Sequence, residues 1–170
     1  KSQNTYDIAN VLSNLGNAYT SLKKYDTALI VMQQSLLIAK KENYENIVSN
    51  VTGNIGGLLI KQGRYDSLNF YCTEGLRLAK KLGDSLTIVN NIYGLALAAF
   101  FKKDFKKSEE EATSGFAMAQ QRNYVEPLQL FADILSKLYL VKGDFKKYDY
   151  YNRLSTALSE KYFNEKMQRN

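Results

Sequence analysis

Asparagines recur in this chain at a fixed stride. Asn10, Asn50 and Asn90 stand 40 residues apart, and Asn14 and Asn54 repeat the interval. An amide side chain both donates and accepts, so a ladder of them suits an extended peptide backbone of any sequence. Covalent or metal chemistry is poorly provided for. The 170 residues include no histidine, which removes the usual general base and the commonest transition-metal ligand. The single cysteine, Cys72, forbids an internal disulfide and shares an apolar helical stripe with Leu68, Leu76 and Ala79. It reads as a small buried hydrophobe rather than a nucleophile.

Other clusters fare no better as chemistry. Thr52-Gly53-Asn54-Ile55-Gly56-Gly57 is glycine-rich, but with no strand before it a phosphate cradle is not expected. Glu109-Glu110-Glu111 opens a helix after a basic turn, where the helix dipole and local ion pairs account for it. Lys102, Lys103, Lys106 and Lys107, with Lys142, Lys146 and Lys147, suggest a basic ridge for phosphate or anionic lipid. The adjacent Phe105 and Phe145 read as core rather than as base-stacking platforms, so nucleic acid is not an expected partner. The residues imply no enzyme, no cofactor and no metal site.

Composition sets the frame that must position these side chains. The chain is 45% hydrophobic with one proline, which points to helices and to one compact domain or one continuous array. The net charge of +6 is dispersed. Lys40-Lys41 and Lys80-Lys81 fall near expected helix ends, where cations complement the dipole. The longest nearly apolar stretch, Ile92 to Phe101, is ten residues against about 20 needed to span a bilayer. The chain opens at Lys1 rather than Met and ends in what reads as mid-helix, as an excised or mature piece would.

The 40-residue stride runs through the whole sequence. Tyr25, Tyr65, Phe105 and Phe145 form one column, Leu15, Ile55, Leu95 and Leu135 another, and Ala39, Ala79, Ala119 and Ser159 a third. Four units follow, near 5–44, 45–84, 85–124 and 125–164, forming a single array over 1–170 whose last helix runs on to 170. Each reads as a helical hairpin. Gly63 marks a tight turn, Asn43, Gly83 and Asn123 offer left-handed caps, and Asp84-Ser85 caps the next helix. Pro127 sits in a first helical turn. Small residues at Gly16, Gly56, Ala96 and Ser136, and at Ser35, Gly75, Gly115 and Ser155, imply close helix approach. The aromatics Tyr25, Tyr65, Phe105 and Phe145 are the expected knobs that fill those gaps.

Asn14-Leu15-Gly16-Asn17-Ala18-Tyr19 with Tyr25-Asp26 and Ala28, Gly63-Arg64-Tyr65-Asp66 and Gly143-Asp144-Phe145 resemble the tetratricopeptide repeat, in its longer, 40-residue form. The resemblance covers nearly the whole chain. Leu68, Ser108 and Tyr148 depart from the small residue at Ala28, and Thr52 and Ala132 from a bulky one. It implies an all-α, right-handed superhelical solenoid of about four antiparallel helix-turn-helix repeats, with a concave wall made by the first helix of each. Groove positions are then Asn10, Ser13, Asn14 and Asn17 in the first unit, Asn50 and Asn54 in the second, Asn90, Tyr93, Leu97 and Phe101 in the third, and Lys137 in the fourth. Long-repeat relatives use such asparagines to hold peptides. Tyr93, Leu97, Phe100 and Phe101 would add an apolar patch for an anchoring side chain, with one of the two phenylalanines taken into the core. Asn17 and Asn54 match the carboxylate clamp known in the family, but Ser13, Asn90 and Gly94 replace its basic residues, so that clamp is not expected.

The resemblance therefore implies a non-enzymatic module that binds a peptide or protein segment in its groove. The alternative is a scaffold that assembles proteins, or itself, through edge or convex surfaces. The tail Ser159-Glu160-Lys161-Tyr162-Phe163-Asn164-Glu165-Lys166 resembles the junction after tetratricopeptide arrays in bacterial membrane-anchored histidine kinases and helix-turn-helix regulators. This implies the sensing region of a larger signalling protein, with the membrane reached through segments outside this chain. It also favours a periplasmic over a cytoplasmic setting and allows a homodimer through the C-terminal helix.

Overall fold

A computed structural model describes residues 3–168, with the side chains of residues 165 and 168 outside the described set. The described residues form eight α-helices and no strand: α1 (Gln3–Ser21), α2 (Tyr25–Lys41), α3 (Glu45–Gln62), α4 (Tyr65–Leu82), α5 (Ser85–Phe101), α6 (Phe105–Gln121), α7 (Val125–Lys142) and α8 (Phe145–Gln168). The chain divides into two compact units, Lys1–Gly94 and Leu95–Asn170, and each is described by itself.

One turn is used throughout. Lys23, Asn43, Gly63, Gly83, Lys103, Asn123 and Gly143 all have positive φ, at intervals of 20 residues. In each turn the N–H of that residue donates to the carbonyl three before it, as Gly63 does to Ile60. The next N–H donates to the carbonyl five before its own position, as Arg64 does to Leu59. This pair of bonds is the Schellman closure, which satisfies carbonyls that a helix end leaves open. The expected left-handed positions at Asn43, Gly83 and Asn123 are all found. Lys23 and Lys103 share the geometry although lysine pays for a left-handed conformation with steric strain at Cβ. Asp84, Asp104 and Asp144 follow three of these residues and accept the N–H of Thr87, Lys107 and Lys147, each at 3.1 Å, starting the next helix.

In the first unit α2 packs on both α1 and α3, and α3 packs on α4. Its core holds Ala9, Ala28, Met32, Val51, Ile55, Leu58, Leu68 and Cys72. The small residues do mark close approaches, but the expected aromatic knobs do not fill them. A Cβ on Gly16 would meet Met32, one on Gly94 would meet Cys72, and one on Gly75 would lie 2.5 Å from the Asn91 amide oxygen. Tyr25 and Tyr65 sit instead at the first residue of their helices, half-buried beside the turn. Ser35 takes the position of Gly75 one repeat earlier, and its hydroxyl donates to the Ala9 carbonyl at 2.6 Å.

In the second unit α7 packs on α6 and α8 around Phe131, Ile134, Leu135 and Leu138. The knob at Gly115 is the ring of Phe131, not Phe145. Phe145 is 67% exposed, so it is not core as its column suggested: as the first residue of α8 it projects beside the turn. The tail continues helically to 168, with Phe163 and Met167 exposed, and residues 169–170 lie outside the described set. No helix among the described residues is long and apolar enough to cross a membrane.

Candidate functional site

The first unit carries the amides. On α1, Asn10, Asn14 and Asn17 fall at i, i+4 and i+7, which places them on one side of the helix. Asn50 and Asn54 do the same on α3, with Gly53, Gly57 and the exposed Lys61 between and beyond them. The two helices touch directly. They are pinned at two points by bonds from α3 to α1: the Asn54 amide donates to the Ser13 hydroxyl at 3.3 Å, and the Asn46 amide to the Tyr6 hydroxyl at 2.7 Å. Thr5 and Tyr44 share a further 2.8 Å bond, and the Tyr6 and Tyr44 rings meet edge to face with centroids 5.1 Å apart. This polar and aromatic seam fixes the spacing of the two asparagine faces.

Asn14, Asn17, Asn50 and Asn90 are exposed, and Asn10 and Asn54 are half-buried. Among the described residues the side chains of Asn10, Asn14, Asn17, Asn50 and Asn90 have no hydrogen-bond partner, so five amides retain their full donor and acceptor capacity. Ser13 corrects the expectation: it is buried and receives the Asn54 amide, so it braces the wall rather than facing a guest. Apart from Lys61 the α1 and α3 faces carry no charged side chain. Gly53 and Gly57 leave the α3 backbone bare, and a Cβ at either would meet nothing within 4 Å.

Tyr93 is half-buried on α5 in the same unit. Of the remaining expected residues, all in the second unit, Leu97 is half-buried and Phe101 is 49% exposed, its ring edge-on to half-buried Phe100 at 5.5 Å. Lys137 is exposed and paired with Asp133 one turn earlier, at 2.5 Å. The residue that sequence reasoning passed over is Asn91. It is buried in a column held by Val51 and Phe131 elsewhere, and its amide donates to the Thr87 carbonyl at 2.8 Å while its oxygen lies against Gly75. Its neighbour Asn90 carried the stride, and nothing in the local pattern separated the two.

The other clusters are structural. Burial pushes the Cys72 thiol up to about 12, which keeps it neutral and unreactive. Glu109 accepts from Lys142 at 2.5 Å and from the Tyr139 hydroxyl at 2.7 Å. Those two bonds, the lysine first, hold its carboxyl below the usual carboxylate range. Lys147 lies over the Tyr139 ring at 4.7 Å, and Tyr139 stacks on Tyr151 at 5.6 Å. Two lysines of the expected basic ridge are thus engaged by protein groups. Among the described residues no group of three or more acidic, cysteine or histidine side chains could hold a metal ion.

No family model matches this chain, and no curated protein does. Solved structures do. BtubC (BKLC) from P. vanneervenii superposes with a TM-score of 0.81 at 15% identity, over 94% of this chain and 66% of that one. Aspartyl phosphate phosphatase F from Bacillus subtilis superposes with a TM-score of 0.79 at 13% identity, over 95% of this chain and 42% of that one. The fold is an all-helical, tetratricopeptide-like repeat. This chain therefore spans about two-thirds and two-fifths of those two proteins, and at such identities the likeness is one of fold.

Proposed function

We propose that this chain is a non-enzymatic binding module that takes an extended peptide or protein segment across the asparagine wall of α1, α3 and α5. The observation that carries this reading is the set of five amides without partners, at repeat-related positions of one compact unit. Packed helices lie about 8–10 Å apart, close to three residues of an extended chain at roughly 3.3 Å each. One asparagine per helix therefore meets every third peptide unit, and each amide reads the backbone rather than a side chain. The bare backbone at Gly53 and Gly57 lets a guest lie close to α3, and Tyr93 borders the same wall. With Lys61 the sole charge on the α1 and α3 faces, affinity comes from hydrogen bonds and apolar contact and changes little with salt. The wider role is the ligand-sensing or interaction region of a larger bacterial signalling or transcriptional regulator.

The test is selection of a random peptide display library on the immobilised chain, followed by titration of recovered peptides. Asn50→Ala, Asn54→Ala and Asn90→Ala combined should weaken binding at least tenfold, about 1.4 kcal/mol. Recovered peptides that bind the triple variant as tightly as the parent refute the wall. A second reading, assembly through the outer face, has its own support: Ile30 and Phe70, one stride apart on α2 and α4, are both exposed, as is Leu37.

A further inference from the structure

On the side of α1 opposite its core residues Ala9, Ser13 and Gly16 runs a line of exposed apolar residues: Ile8, Val11, Leu15 and Ala18, with Leu22 just beyond the helix. Their spacing alternates three and four, the a/d pattern of a helix–helix seam. Val11 is 63% exposed and Leu22 65%. One repeat later the same columns are Val48, Val51, Ile55 and Leu58, all buried in α3, which packs on α1 and α2. In α7 the columns hold Phe131, Leu135 and Leu138, buried where that helix packs on α6. This face is thus one that the repeat uses for helix packing, and in α1 it is uncovered.

We propose that α1 docks on α1 of a second copy of this chain, the two helices antiparallel about a two-fold axis at Leu15. That axis sets Leu15 against its own mate, Val11 against Ala18 and Ile8 against Leu22, so each larger side chain at the flanks meets one that fits it. Between Ile8 and Leu22 there is no charged residue, so nothing repels along the seam. The same axis brings Asp7 to Lys23 of the partner copy, whereas parallel helices would set Asp7 against Asp7. The asparagine wall lies on a third side of α1, and pairing leaves it open. The proposal stands independently of what that wall binds.

Sedimentation velocity on the full chain across micromolar to sub-millimolar concentration should show a reversible dimer. Val11→Asp should raise its dissociation constant about a hundredfold. Its helical circular dichroism and melting, measured where the parent is monomeric, should stay unchanged because Val11 is exposed. Leu15→Cys should give a disulfide-linked dimer under mild oxidation without unfolding, with Cys72 buried and silent. Ile8→Cys should not, since its mates lie about 21 Å apart along the seam. A monomer at every concentration overturns the proposal, as does a dimer indifferent to Val11→Asp, which would place the contact elsewhere, the C-terminal helix included. Ile8→Cys linking to itself overturns the antiparallel pairing.

Discussion

Replacing single glycines by alanine should move stability in opposite directions according to what each glycine faces. Gly53 and Gly57 lie inside α3, where a Cβ would touch nothing within 4 Å. Alanine there adds no clash and recovers the helix propensity that glycine forgoes, about 0.8–1 kcal/mol each. The double variant should gain roughly 1.5–2 kcal/mol, or about 3–8 °C in melting temperature for a chain of this size. Gly115 is the counter-case. A Cβ there would fall inside van der Waals contact with three carbons of the Phe131 ring, itself fully buried among α7 residues and unable to swing away. Overpacking costs about 1–3 kcal/mol, and the same propensity gain of about 1 kcal/mol offsets part of it. A net loss of up to about 2 kcal/mol should remain. The assay is urea unfolding followed by circular dichroism, with melting as a second readout. Stability falling for Gly53→Ala and Gly57→Ala, or unchanged for Gly115→Ala, refutes the steric reasoning. The α3 pair carries a second reading: if a guest lies against that bare backbone, the stabilised variant should bind selected peptides more weakly than the parent.

Two further outcomes follow from the turns and the core. Lys103→Gly should stabilise the chain by about 0.5–1 kcal/mol, because Lys103 holds φ of 62° at the price of Cβ strain while glycine adds unfolded-state entropy that cancels part of the gain; an unchanged urea midpoint would show the turn to be unstrained. Burial raises the Cys72 thiol to about 12, so above the ordinary thiol pKa of about 8.5 the unfolded chain sheds a proton that the native chain keeps. Its contribution is therefore complete below that pH and declines as pH rises, by at most about 1.4 kcal/mol per unit. Cys72→Ala should flatten this slope between about pH 9 and 10, before the tyrosines titrate. Equal slopes in parent and variant would show that the thiol ionises freely in the fold.

The elements were legible because hydrophobic spacing and turn residues agree along the chain. Asn43, Gly63, Gly83, Asn123 and Gly143 announce left-handed closures by residue type, and all five adopt them. Lys23 and Lys103 close the same way without any such signal; only their place in a 20-residue rhythm marks them. Packing partners were harder. A glycine reports that something approaches closely but not what, and the fillers proved to be Met32, Cys72, Asn91 and Phe131 rather than the turn-side aromatics. Aromatic columns at 25, 65, 105 and 145 start helices, and a side chain there is governed by the turn beside it, which is why Phe145 stands in solvent. The amide face was readable from stride alone, yet stride could not separate Ser13, which braces, from Asn14, which faces outward.

That bracing bears on why the wall would hold its shape when a guest arrives. A surface amide that must abandon an internal bond to meet a ligand gains little from the exchange. Here the intramolecular work is done by other groups: Ser13 with Asn54, Tyr6 with Asn46, and Tyr44 with Thr5 tie the α1 and α3 faces together. The amides of Asn10, Asn14, Asn17, Asn50 and Asn90 are thereby left with no bond to give up except to water. A guest pays for displaced water and for its own ordering, but not for remodelling the wall. Breaking the brace should therefore weaken binding without touching a contacting amide, and Asn46→Ala, which removes only the bond to Tyr6, separates positioning from contact. Its affinity for a selected peptide should fall while the fold remains intact, and an affinity equal to the parent's would mean that the wall needs no such support.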